Sequence, residues 1–223
     1  MNGAAWFVLA VIAVIALAIY AYLKRRLRRD ALAAWARRKG LRFRDEHDKT
    51  IEYRFGNFDC LQQGHDRYAH NIIEGSWHGR DLTAFDYHYE TGSGDDETTH
   101  HLSAVILQAP CPLKPLVIRP ERFFDRVSAF FGFDDIDFES AEFSREFYVK
   151  SRDRKWAYDV IHARMMEYLL AAPRYFVQFG LIHAIAWADR TFEPDEFERA
   201  AEFLGGLFDR LPEYLLRKQT DGA

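Results

Sequence analysis

At 223 residues and a formal net charge of −4, the chain is long enough to bury one substantial core beside a membrane segment. The small net charge hides a division. Eight of the thirty basic residues lie between Lys24 and Lys39, opposed there by Asp30, and from Gly40 onward 22 Lys and Arg face 33 Asp and Glu, a balance of −11. A body this acidic argues against a nucleic-acid partner, and two cysteines, Cys60 and Cys111, supply neither a disulfide scaffold nor metal or redox spacing.

Residues 4–23, AAWFVLAVIAVIALAIYAYL from Ala4 to Leu23, carry no charge, and their helical length matches a hydrocarbon core of about 30 Å. They are expected to cross the bilayer once. Lys24, Arg25, Arg26, Arg28 and Arg29 follow the apolar run, the reverse of a cleavable signal peptide, so residues 1–3 are expected outside and the rest inside. Trp6, Tyr20 and Tyr22 suit interfacial belts. Residues 24–40 continue as a basic juxtamembrane helix, in which Leu27, Ala31, Ala34 and Trp35 recur at helical spacing and Arg37, Arg38 and Lys39 precede Gly40. These eight cations are candidate membrane-surface residues for anionic headgroups; the plainer reading is that they only set topology.

The remaining residues, 41–223, are expected to form one α+β domain, an antiparallel sheet of six or seven strands with helices packed on one face. LRFRD and IEYRFGNFDC read as short strands, and DLTAFDYHYET and TTHHLSAVILQAP as a hairpin about GSGDDE. Along the first hairpin strand Phe85, Tyr87 and Tyr89 share one face, and Leu82, Ala84, Asp86 and His88 the other. Prolines 110, 112, 115 and 120 break pairing, with Pro120 expected to open a helix, PERFFDRVSAFF, ended by Gly132. EFSREFYVKS reads as a strand. Asp153 is placed to cap a helix from Arg154 to Ala172, and YFVQF and LIHAIAWAD read as two more strands. A last helix starts at Pro194 with the stripe Phe197, Ala201, Leu204, Phe208 and Leu211, and Pro212 breaks or restarts it.

Two segments carry a resemblance. Phe147, Val149, Ser151, Asp153, Ala157, Met165 and Met166, with the upstream Gly75, Gly79, Arg80, Leu82, Phe85, Asp86, Tyr87 and Tyr89, resemble a family of uncharacterised bacterial membrane-anchored proteins with one N-terminal transmembrane helix. The resemblance implies an anchored α+β domain at a bacterial inner membrane. It carries no catalytic residue with it.

Chemistry-bearing patterns are sparse. His88 with His100 or His101, and Asp86 as a further ligand, make the best metal candidate, although adjacent histidines on a strand point to opposite faces and no HExxH or Cys/His spacing supports them. Asp134, Asp135, Asp137 and Glu139 alternate as in a calcium loop but lack its glycine and its twelfth-position glutamate. His162 and His183 read as satisfied histidines near the core. Gly92 and Gly94 make no phosphate fingerprint, and no serine sits in a nucleophile elbow. No cofactor is expected. The leading expectation is a membrane-tethered, non-enzymatic interaction domain with a protein partner or its own copies, such as an accessory subunit of a membrane complex; the alternatives are a lipid or small-ligand sensor and a metal-dependent hydrolase using His88 and His100 or His101.

Overall fold

The computed structural model describes residues 3–121 and 136–220. The expected helix over PERFFDRVSAFF and the acidic pair Asp134 and Asp135 therefore lie outside the described residues, except that Pro120 closes a strand, paired with Phe147, rather than opening a helix.

The chain enters through α1 (Gly3–Arg38), 36 residues without a break. None of its apolar half, from Trp6 to Leu23, is buried in the protein; its second half buries Leu32, Trp35 and Ala36 in the domain core. Among the described residues α1 is the one helix long and apolar enough to span a membrane.

An eight-stranded sheet, antiparallel at every pairing, follows in the order β1-β2-β3-β4-β8-β7-β5-β6. The strands are β1 (Arg42–Arg44), β2 (His65–Trp77), β3 (Arg80–Thr91), β4 (Thr98–Gln108), β5 (Leu116–Pro120), β6 (Phe147–Lys150), β7 (Phe176–Phe179) and β8 (His183–Ala188). The helices are α2 (Ile51–Arg54), α3 (Ala141–Glu146), α4 (Arg154–Val160), α5 (Ala163–Ala171), α6 (Pro194–Phe208) and α7 (Glu213–Thr220). This is the expected α+β arrangement, one strand larger than anticipated.

Period-two alternation divides the core into two layers. Leu82, Ala84, Val105, Leu107, Val177, Ala184 and Ala186 face α1 and α3–α7, and the alanines of β8 leave room for α6 to lie close. Phe85, Tyr87, Tyr89, Ala104, Ile106, Ile185 and Trp187 face the other way, under Ile51, Phe55, Phe58 and Leu61. The second face is thus covered too, by α2 and the short 3-10 turn Asp59–Leu61.

Three local expectations are corrected, and one strand is not foreseen. IEYRFGNFDC is not a strand: Ile51 and Phe55, four apart, are both buried beneath a helical turn, with Asp48 accepting from Thr50 N at 2.8 Å just before it. EFSREFYVKS begins as α3, because Ser140 accepts from Phe143 N at 3.2 Å as an N-cap and Phe143 stacks on Phe147 one turn later. The helix from Arg154 to Ala172 is two helices, since the chain leaves helical geometry at Ile161 and His162, after the β-branched pair Val160 and Ile161, and His162 Nε2 lies 2.9 Å from Arg210 O. The expectation for Asp153 holds: its carboxylate accepts from Trp156 N at 3.0 Å. Finally, β2 goes unpredicted, for reasons that lie in its two bulges.

Candidate functional site

Alternation along β3 places Asp86 on the face that also carries Leu82 and Ala84, where a carboxylate needs a partner. The partner is Arg28 of α1. Arg28 Nη1 and Nη2 donate to Asp86 Oδ2 and Oδ1 at 2.7 and 3.0 Å, a bidentate pair, while Nε donates to Phe192 O at 3.0 Å. Asn71 Nδ2 donates to Oδ2 at 2.8 Å, the Ser103 hydroxyl donates to Oδ1, and Ser103 Oγ in turn accepts from Phe192 N at 2.9 Å. The Asp86 side chain is 1% exposed and that of Arg28 is 14% exposed. Four donors fill the two carboxylate oxygens, so the expected role of Asp86 as a metal ligand gives way to one as the socket of the anchor helix.

About two and three turns beyond Arg28, Trp35 Nε1 and Lys39 Nζ donate to Glu198 of α6 at 2.9 and 2.6 Å, and the Trp35 ring lies 6.2 Å from that of Trp77. Hydrogen bonds from Lys39 and Trp35 hold the Glu198 carboxyl below the usual carboxylate range.

These contacts correct the reading of the basic run. At 1.5 Å per residue, Arg37, Arg38 and Lys39 sit roughly 21–24 Å along the helix from Leu23, beyond headgroup reach, and Arg28 turns into the protein. Arg29 pairs with Asp45 at 3.0 Å. Lys24, Arg25 and Arg26 stay exposed within about 5 Å of the end of the apolar run.

The order of contacts also tells which end of the sheet faces the span. Trp35 meets Trp77 beside the β2–β3 turn, Arg28 meets Asp86, and the next pairs outward along β3 and β4 are His88 with His101 and Glu90 with Thr99. The hairpin tip between Thr91 and Thr98 therefore points toward the apolar end of α1.

At that end the histidines gather on the α1 face. His88 lies opposite His101 with ring centres 5.3 Å apart, Tyr68 stacks between His88 and His47 at 4.5 and 4.1 Å, and His70 sits beside them. Burial, reinforced by neighbouring cationic groups, pushes the pKa of His70 and of His101 down. His100 turns to the opposite face, against Tyr89 and within 2.7 Å of Thr91 Oγ1, so of the two expected partners for His88 the structure selects His101. His183 packs against Phe55, and the Asp137 carbonyl accepts from Tyr158 OH at 3.2 Å.

The second sheet face carries two neighbouring clefts that share Gln63 and Thr91. One, of about 880 Å³, runs between Asn57, Asp59, Lys150 and Arg152; burial raises the Asp59 carboxyl against the bond from Gln178. The other, of about 740 Å³, lies at the hairpin-tip end of the sheet and is lined by Tyr89, Leu102, Trp187, His100, Asp189 and Arg190 among others.

What the sequence reading missed is the link between Arg28 and Asp86. The signal was present: a lone carboxylate alternating with Leu82 and Ala84 must be buried against a cation, and the nearest unexplained cations lay in the run after the span.

No protein-family model and no curated protein matches the sequence, so the resemblance carried by Gly75, Gly79 and the segment around Asp153 rests on those residues alone. The fold does match a solved structure, the mycobacterial trehalose monomycolate transport factor A, TtfA, with a TM-score of 0.62 at 12% identity, over 82% of this chain and 96% of that one. At that identity the likeness is one of fold.

Proposed function

We propose that this chain is a membrane-tethered, non-enzymatic interaction domain serving as an accessory subunit of a membrane protein complex, held at the cytoplasmic face of a bacterial inner membrane with its N-terminus outside. The observation that carries the reading is the anchor. A flexible tether would serve to concentrate a domain near a surface, but α1 runs without a break from the apolar span into the core and is clamped there by Asp86, Phe192 and Glu198. Such a joint fixes the orientation of the domain relative to the bilayer, which matters when the target is itself fixed in the bilayer. Support comes also from the fold likeness to a protein named as a transport factor, and from Tyr53, Leu181 and Ile182, which are exposed.

The test is purification of the full chain from its host in mild detergent, with mass spectrometry of what accompanies it. A membrane protein in fixed ratio is the expected result. Recovery of the chain alone would sink the reading. Its orientation is checked separately by a cysteine placed at Asn2, expected to react with an impermeant thiol reagent added outside the cell.

A second reading, a lipid or small-ligand sensor, is favoured by the 740 Å³ cleft, whose aromatic and polar lining residues suit an amphiphile at the membrane-facing end. A lipid enriched in the same purification, in place of a protein, would select it.

A further inference from the structure

The structure assigns a divalent-cation site to Asp66, His88 and Glu90, at the hairpin-tip end of the sheet, and the assignment does not depend on the anchoring role proposed above. His88 and Glu90 stand two residues apart on β3 and so share the α1 face, with His88 Nε2 3.3 Å from Glu90 Oε1. The third group comes from the neighbouring strand. A bulge between His65 and Tyr68 breaks the β2–β3 register, and Asp66 takes a φ of +46°, a left-handed conformation that Asp tolerates better than most residues. One ligand atom from each of the three side chains then lies within 4.8 Å of the others. Donors bound at about 2.0–2.2 Å around a tetrahedral ion stand roughly 3.4 Å apart, so closing on a cation requires side-chain movements of about 1 Å.

The environment suits the ion. His88 is 7% exposed and its ring is held by Tyr68 on one side and His101 on the other. Neither ring nitrogen is committed to a backbone or hydroxyl partner: Nε2 faces Glu90, and Nδ1 is buried without a hydrogen bond. Two carboxylates and an imidazole present one nitrogen and two oxygen donors, a set that takes zinc or a similar borderline divalent metal and leaves coordination positions open to water. The nearest competitor is Lys49, paired with Asp66 at 3.1 Å; its side chain is 66% exposed, so it can leave for solvent at small cost. This triad replaces the one expected from sequence. Of that earlier set His88 is kept, Asp86 is occupied by Arg28, His100 faces the other way, and His101 packs its ring beside His88 without joining the triad.

Glu90 also belongs to a second, more exposed group with His65 and Glu97, and the test separates the two. Full-length protein in mild detergent, stripped with chelator, is titrated with zinc chloride alone by calorimetry and, after desalting, assayed for retained metal. One zinc per chain is expected. Asp66→Asn should weaken binding by at least about tenfold and Glu90→Gln likewise, while His65→Asn and Glu97→Gln leave it unchanged. Asp66 is exposed, so its variant reads the site without disturbing the core. Cobalt substitution adds a check on the nitrogen donor, whose spectral signature should disappear in His88→Gln while the unfolding midpoint of the metal-free variant shows that it still folds. Failure to retain stoichiometric zinc, or loss of binding in His65→Asn to the same degree as in Asp66→Asn, would overturn the assignment.

Discussion

Four donors converge on Asp86, and the cation among them belongs to the helix whose apolar half is long enough to span a bilayer. Removing one member of a buried pair strands the other, so Asp86→Ala should destabilise the domain by about 3–5 kcal/mol, measured by urea unfolding of the full chain in detergent through tryptophan fluorescence. The paired replacement of Arg28 by Met and Asp86 by Leu should cost much less, because no charge is then left without a partner. A single-variant cost below about 1 kcal/mol would mean that apolar packing alone seats α1. The cysteines give a second test at this scale. Cys60 and Cys111 are free, buried and on opposite sides of the sheet, and burial pushes both thiols up in pKa, Cys60 the further. Both should resist an aqueous thiol reagent until denaturant is added. Their reduced, unbridged state was legible from spacing; the partner of Asp86 was not, because a pattern within one strand says that a cation is needed and not from where it comes.

Elements were legible where the chain keeps one period. Strands β3, β4, β7 and β8 are runs rich in β-branched, aromatic and small apolar residues buried on both faces, and α6 carries its stripe for fifteen residues from Pro194. Strand β2 hides because Asp66 and Asn71 both adopt positive φ at bulges, and each extra residue flips the alternation partway along the strand. Its turn into β3 was not read either: His78 and Gly79, both left-handed, make the two-residue hairpin loop that a Gly at the second position favours. α2 and α3 were lost for the opposite reason, being too short for their helical period to stand out. The edge of the sheet offers a pH test. Burial works against the charge of Glu74, but hydrogen bonds from Arg54 and Arg42 and the nearby charge of Arg44 prevail and lower its pKa. The unfolded chain therefore binds this proton more readily than the folded one, and the stabilisation, full above about pH 4.3, is lost as pH falls through the folded value. Melting temperature in Glu74→Gln should be lower than in the parent near neutral pH, and the gap should close in acid.

On the scale of the whole molecule, composition and one apolar run disclosed the architecture, while the depth at which the anchor enters the domain came only with the structure. Trp35 measures that depth. Nearly fully buried, and bonded to Glu198, it joins α1 to α6, and Trp35→Ala should cost about 3–5 kcal/mol and open the bonds after Arg37 and Arg38 to trypsin. If proteolysis stays as slow as in the parent, the second half of α1 is held by Arg28 without it.

An unbroken helix between bilayer and domain also transmits angle. Each residue inserted between Leu23 and Lys24 would turn the domain by about 100° about the helix axis and lift it by about 1.5 Å, so alanine insertions become a dial on azimuth. If the domain must meet a neighbour seated in the same bilayer, one or two alanines should abolish co-purification, whereas seven, which return the heading to within about 20° and add about 10 Å of height, should restore part of it. A response that declines smoothly with insert length, with no recovery at seven, would mean that distance and not heading governs the encounter.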